Sequence, residues 1–389
     1  MKMLGYDKIR QANYFHKIHL NELKNEGLVS NEEHSVIEKN MGPAYNTTNI
    51  FVNIGLFILT YVIVSSALGF LGLLLSDVIS EQNGWVFSLI VAVGLLFFLQ
   101  KVIIDDRKNF RSGIDDALLY GGIGFLCLAF FILFETVFFN DPLKSCLFFI
   151  PLLGLPAKIY QDRLLYGLTL FSIYSVFFLL FHKLGGVFLL LIPFGLMLLS
   201  FIFYRFSTTK ASKVEFEADQ ECWEVIQWIS IIVFYLSGNI FVVTELSTEL
   251  GLVDAFPKAI KLFFYGFTIV IPLLYIFHGL KNKKLIFLNL GLALIAVGVF
   301  SIKYYHNLMS LELALLLGGI ALLAVAYSAM RYFKNGKWNI TTEPDNNLTD
   351  GLNLESIVID QTLSKVGDID TKFKGEGGKF GGGGASGAY

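Results

Sequence analysis

Ten apolar stretches follow one another between residues 50 and 333, and the loops between them are alternately rich and poor in lysine and arginine. A helix that crosses a bilayer needs about 20 predominantly apolar residues. By that measure the spans read as 50–76, 85–104, 116–138, 143–160, 165–182, 185–204, 223–244, 259–280, 284–301 and 311–330. Hydrophobic residues make up 54% of the chain and mean hydropathy is +0.62, which excludes a large water-soluble core. The fold class is therefore all-α, a polytopic α-helical membrane protein with about ten transmembrane helices. The fourth stretch carries Pro151 and Pro156 in a short apolar run, and it reads either as a kinked span or as a re-entrant segment resting in the bundle.

The loop charges orient the bundle. Lys101, Arg107, Lys108 and Arg111 follow span two, Lys158 and Arg163 span four, Arg205, Lys210 and Lys213 span six, and Lys281, Lys283 and Lys284 span eight. The opposite loops hold only Lys144, Lys183, Lys258 and Lys303, together with the acids Asp77, Glu81, Asp141, Glu245, Glu249 and Asp254. Twelve basic residues against four place both termini in the cytoplasm by the positive-inside rule. The net charge of −2 leaves no nucleic-acid footprint, so nucleic acid is not an expected partner, whereas membrane lipids are. Cys127, Cys146 and Cys222 are odd in number and dispersed, as expected for apolar packing and not for a disulfide framework. The polar start of the chain does not read as a cleavable signal peptide, and span one would serve as the insertion signal.

Three regions follow from this pattern: 1–47, a cytosolic helical hairpin; 48–333, the transmembrane helical domain; and 334–389, a flexible cytosolic tail. In the hairpin, Gly27 suits a helix end and Ser30 with Glu33 forms a capping box. Ile18, Leu20, Leu23 and Leu28 make a modest apolar stripe, so the hairpin should rest on the membrane surface, on cytoplasmic loops or on another copy. His16 and His19 have the spacing of two metal ligands on one helical face, but no third ligand is near and solvated polar residues are the reading adopted.

The run Glu26-Gly27-Leu28-Val29-Ser30-Asn31-Glu32-Glu33 before a polytopic apolar region resembles the bacterial membrane proteins called domain of unknown function twenty-one fifty-seven. The closing pair of spans adds a second likeness in His278-Gly279-Leu280, Leu290-Gly291-Leu292 and Leu317-Gly318-Gly319-Ile320. Together these motifs cover about a third of the chain. The resemblance implies a multi-pass protein of the bacterial cytoplasmic (inner) membrane, and it implies no activity or catalytic residue.

In the tail, Leu354-Glu355-Ser356-Ile357-Val358-Ile359 opens an apolar island in which Leu354, Ile357 and Val358 need a partner surface, since so short a segment does not stabilise itself in water. Beyond it, eight glycines between 375 and 387 separate Phe373, Phe380 and Tyr389, aromatic points on a chain able to enter a narrow groove. This ending resembles the Phe-Gly-rich, Gly-Ala-Ser-Gly-aromatic ends of several unrelated bacterial membrane proteins, some with a TPM-type domain. A signal read by a receptor and a plain linker both fit it.

Ionisable residues at membrane depth would mark an ion route. Only Glu135 lies far enough inside a span to face a cavity, while Glu224, His278 and Glu312 sit at span ends. Ser237-Gly238-Asn239 interrupts span seven with small and polar residues, which either line a substrate cavity or bond neighbouring helices. Six dispersed histidines and short loops give no catalytic arrangement, metal site or cofactor site, so no enzyme is expected. Two functional classes stay open. One is a non-enzymatic membrane scaffold or binding protein that recruits a protein partner through its hairpin and tail; the other is a secondary transporter or lipid-handling carrier.

Overall fold

The computed structural model describes residues 4–46, 50–76, 83–134, 140–252, 256–282, 284–305 and single positions between 313 and 331. Met1–Arg331 belongs to one compact unit. The regular secondary structure of the described residues is all helical, without a strand. A single isolated bridge joins Asn46 and Asn109. Two short helices, α1 (Lys8–Asn25) and α2 (Asn31–Asn40), precede the bundle. The bundle comprises α3 (Ile50–Leu74), α4 (Gly84–Phe98, continued by a π-helical stretch Leu99–Asp106), α5 (Ile114–Phe134), α6 (Pro142–Tyr160), α7 (Arg163–Leu184), α8 (Val187–Ala211), α9 (Glu217–Gly238), α10 (Ile240–Glu249), α11 (Lys258–Asn282) and α12 (Leu285–Tyr305).

Among the described residues, eight helices are long and apolar enough to cross a membrane, or nine if α9 and α10, which meet at a bend of 69°, form one broken span. These eight or nine correspond to the first nine stretches expected from hydropathy. The tenth, 311–330, lies largely outside the described residues.

The proline-bearing fourth stretch is one continuous helix. Asp141 caps it by accepting from the Leu143 amide at 3.1 Å, Pro142 occupies its first turn, where no amide is needed, and Pro151 and Pro156 lie inside it. It stops at Gln161, whose φ of 51° is left-handed.

Sequence neighbours pair as antiparallel hairpins, α4 with α5, α6 with α7, α8 with α9 and α11 with α12. Glycines set some of these approaches. A Cβ at Gly122 would come within 2.8 Å of Leu96 across the α4–α5 seam. The core is divided into local clusters, one of them Leu99, Ile103, Leu118, Ile123 and Leu165, another Ile231, Tyr235, Phe287, Leu290 and Leu294. α3 stands apart, packing on α5 and burying none of its 25 residues.

The expected hairpin is present, with Asp7 capping α1 and the reciprocal Ser30–Glu33 box capping α2. Gly27 has a φ of 71° between the two helices. His34 Nε2 lies 2.9 Å from Asn21 Oδ1 and Lys17 pairs with Glu38 at 2.8 Å, tying one helix to the other. Its buried face differs from the aliphatic stripe read from the sequence: Gln11, Tyr14, Phe15 and Leu20 are inside, whereas Leu23 and Leu28 are exposed. Aromatic area explains the difference, because Tyr14, Phe15, Tyr45 and Phe110 close over Ala218 as one cluster and outweigh two leucines.

Candidate functional site

Two polar constellations stand out. The first is the junction between the hairpin and the bundle. The loop Arg111-Ser112-Gly113 leads into α5, which opens with Ile114-Asp115-Asp116, and the Asp115 carboxylate gathers four donors: Tyr6 Oη at 2.8 Å, the Arg111 amide at 2.7 Å, and the Ser112 amide and hydroxyl at 2.8 and 2.9 Å. Such a carboxylate is charge-satisfied although it is almost wholly buried. Burial of the Tyr6 hydroxyl, followed by its proximity to Asp115, pushes that phenol well above its usual range.

One residue earlier, Gly5 is held by Gln100 from the π-helical end of α4. Its amide donates to Gln100 Oε1 at 2.9 Å, and Gln100 Nε2 donates back to its carbonyl at 3.3 Å. Gly5 has a φ of 96°, and a Cβ there would run into the carbonyl oxygen of Ile159, so only glycine fits this slot.

Around this seam the charges alternate. Arg111 pairs closely with Glu221, which Arg163 approaches at 3.7 Å. Asp219 accepts from Gln161 at 2.5 Å and from Lys8 at 3.3 Å, and His19 lies 3.5 Å from Glu217. Asp162, which caps α7 by accepting from the Leu165 amide at 2.8 Å, also accepts from Tyr120 at 2.9 Å. Burial holds its carboxyl above the ordinary carboxylate range, and those two donors pull it back only in part. The loop after α4, the turn at Gln161 and the start of α9 are thus drawn to one side, with the hairpin strapped across them. This is the side on which the sequence concentrates its basic residues.

The second constellation is the break between α9 and α10. Asn239 is fully buried and caps α10, its Oδ1 accepting from the amides of Phe241 at 3.0 Å and Val242 at 3.4 Å. The Ile240 amide is taken by Thr268 Oγ1 at 2.9 Å. Asn239 also accepts from Ser301 at 3.0 Å and donates to Tyr235 Oη at 3.1 Å, which reaches the Thr268 and Leu294 carbonyls at 3.4 and 3.3 Å. At the far end of α10, Tyr305 donates to Glu245 at 2.7 Å. The three amides freed at the start of α10, those of Ile240, Phe241 and Val242, are therefore bonded within protein, as hydrocarbon demands of an interrupted helix.

Asn239 thus bonds α9, α10 and α12 together, and α11 joins them through Thr268, which bonds the Ile240 amide and the Tyr235 hydroxyl. Ser237 bonds back to the Val233 carbonyl at 2.7 Å and borders a small recess of about 170 Å³ whose other walls include Pro193, Leu196 and Leu246. Glu135, and in the tail Leu354, Ile357, Val358, Phe373, Phe380 and Tyr389, lie outside the described residues.

No family model, curated protein or solved structure matches this chain.

Sequence reading took Arg111 only as a loop charge and passed over Tyr6, Gln100, Asp115 and Glu221. The signal for them was present in Arg111-Ser112-Gly113-Ile114-Asp115-Asp116, a charged run at the very mouth of an apolar span, where an unpaired carboxylate would be costly.

Proposed function

We propose that this membrane-embedded helical protein is a non-enzymatic scaffold or binding protein, with the hairpin as its presenting element. The observation that supports this reading is the two-sided character of the hairpin. One face is fastened to the bundle through Gly5, Tyr6, Lys8 and the aromatic cluster, while Leu23, Leu28, Val36 and Ile37 are exposed on the hairpin. A surface segment held rigidly in this way loses little entropy when a partner binds it. The tail, through Leu354, Ile357, Val358 and its aromatic points, is proposed as a second contact for a protein partner, and the cytoplasm of a bacterium as the compartment facing both. The resemblance of Glu26–Glu33 to a family of unknown function belongs to this reading and adds no activity.

The test is crosslinking in intact membranes followed by purification of three proteins: the full chain, a chain ending at Lys337, and Leu28→Ser/Val36→Ser. Partners lost from either variant, with membrane insertion unchanged, are the expected result. An identical partner set in all three would overturn the reading.

The broken α9–α10 span favours the second reading, a secondary transporter or lipid-handling carrier, because interrupted helices are where such proteins place their substrate sites. Its discriminating measurement is the reactivity of Ser237→Cys, in a chain whose three native cysteines are replaced by serine, toward a water-soluble thiol reagent. Modification would support a water-accessible route, and protection would support a filled structural core.

A further inference from the structure

α10 is a short helix with a stop at each end. Asn239 caps its start, and its end closes on Gly251, whose φ of 70° lets the Gly251 amide reach the Thr248 carbonyl at 3.0 Å and the Leu252 amide the Ser247 carbonyl at 2.8 Å. A helix of 10 residues does not hold its place by propensity. The position of α10 therefore rests on what its sides touch.

One side is clasped to α12. The Phe241 ring meets Phe300 and Tyr304 edge-on at 5.7 and 5.0 Å, and one turn farther on Glu245 accepts from Tyr305 Oη at 2.7 Å. The other side is open. Val242 and Leu246 border the recess of about 170 Å³, across which stand Pro193 and Leu196 of α8. The lining carries no charged side chain, and its one hydroxyl, that of Ser237, is already bonded to the Val233 carbonyl, so water has too few partners there to be held.

The two ends of α10 are held differently. At the start, Ile240 and Val243 are buried beside Met197 and Phe264, and the polar bonds converge on Thr268 as well as on Asn239. Pro272 of α11 has no amide to give the Thr268 carbonyl one turn back, and Tyr235 Oη approaches that carbonyl at 3.4 Å in its place. The interruption of α11 and the break after α9 thus share one node. Gly298 admits α12 to it, since a Cβ there would lie 3.2 Å from both the Thr268 carbonyl oxygen and the Tyr235 hydroxyl. Beyond the first turn, among the described residues, Tyr305 supplies the polar tie between α10 and the bundle, and Thr248 and Glu249 are exposed.

We propose that α10 is a two-position lever that pivots on the Asn239–Thr268 node, latched against α12 by the Glu245–Tyr305 bond and, when unlatched, tipped toward α8 so that Leu246 fills the recess. Each position gives up what the other gains. Latched, the helix keeps a bond to a charged group and leaves an apolar void beside it; tipped, it fills the void and loses the bond. Cavity filling and one such bond are of the same order, which keeps the two positions close in free energy. The lever goes beyond the partner-binding role of the hairpin and does not depend on it.

The test uses the full chain in lipid nanodiscs, with Cys127, Cys146 and Cys222 replaced by serine and spin labels on Thr248 together with either Leu191 of α8 or Val299 of α12, all three being exposed positions. Pulsed electron spin resonance reads the two distances. Tyr305→Phe should raise the ratio of a shorter to a longer Thr248–Leu191 distance about tenfold, the shift that loss of one bond to a charged group supports, and the Thr248–Val299 distance should lengthen in step. Distributions unchanged by Tyr305→Phe, or both distances broadening together as in simple fraying, would overturn the lever. If the labelled chains fail to fold, Leu196→Cys with Leu246→Cys decides. A disulfide across the recess needs the two Cα atoms within about 7 Å, so oxidation should close it about tenfold faster when Tyr305→Phe is added, and an equal rate would overturn the proposal.

Discussion

The hydroxyl of Tyr6 donates a 2.8 Å hydrogen bond to the carboxylate of Asp115, joining two residues 109 positions apart and fixing the hairpin to the mouth of the α4–α5 pair. Tyr6→Phe leaves Asp115 with three donors, so the expected loss is about 1.5–3 kcal/mol, the cost of one hydrogen bond to a charged group. Asp115→Ala strands Tyr6 and frees the α5 cap, and should cost more than Tyr6→Phe. Thermal unfolding in detergent, together with hydrogen exchange in α1, would separate undocking of the hairpin from loss of the bundle.

The same contact responds to pH. Burial, and then Asp115, raise the Tyr6 phenol above its ordinary value of about 10. Because the folded value is the higher one, its stabilisation is complete below the unfolded value and is lost as pH rises through the folded one. Docking of the hairpin should therefore hold through neutral and mildly alkaline conditions and fail only in strong alkali. A phenolate absorbance titration of the wild type against Tyr6→Phe would show one tyrosine ionising late, and a missing late step would refute the assignment.

Gly5→Ala places a methyl group against the Ile159 carbonyl and demands a positive φ from alanine. We expect the segment before α1 to lift from Gln100 and a destabilisation of about 1–3 kcal/mol. Limited proteolysis near residue 5 should accelerate, whereas cleavage in the loops on the opposite side should not.

Asn239→Ala leaves two amides at the start of α10 without their acceptor, while the Ser301 hydroxyl keeps the Val297 carbonyl at 2.7 Å. The expected cost is about 1–3 kcal/mol, and Asn239→Asp should recover part of the cap. Measured unfolding in detergent checks both, and equal stability of alanine and asparagine at this position would refute the capping role.

How much of this was legible in the sequence differs by element. Apolar length located the first nine spans, because hydrophobic transfer is additive along a segment and survives ignorance of neighbours. The Ser30–Glu33 box and the Gly27 turn were also local and were read correctly. The Gln100–Gly5 clamp and the Asp115 cradle were not, since each joins residues about a hundred positions apart and depends on how the loops fold back. Ser237-Gly238-Asn239 was visible as an interruption. Whether its amide lined a cavity or satisfied a broken backbone turned on Thr268 and Ser301, which arrive from two later helices.

The clamp on Gly5 has a consequence for how the protein is made. Gly5 and Tyr6 are synthesised well before Gln100, Asp115 and Ile159 exist, and Lys8 before Asp219. The hairpin must therefore wait undocked while successive helices enter the bilayer, and its final seating records that the α4–α6 region and then α9 have arrived in place. Closure of the strap is in this sense a late proofreading step of assembly, and a bundle with a misplaced early helix would leave its own beginning hanging free.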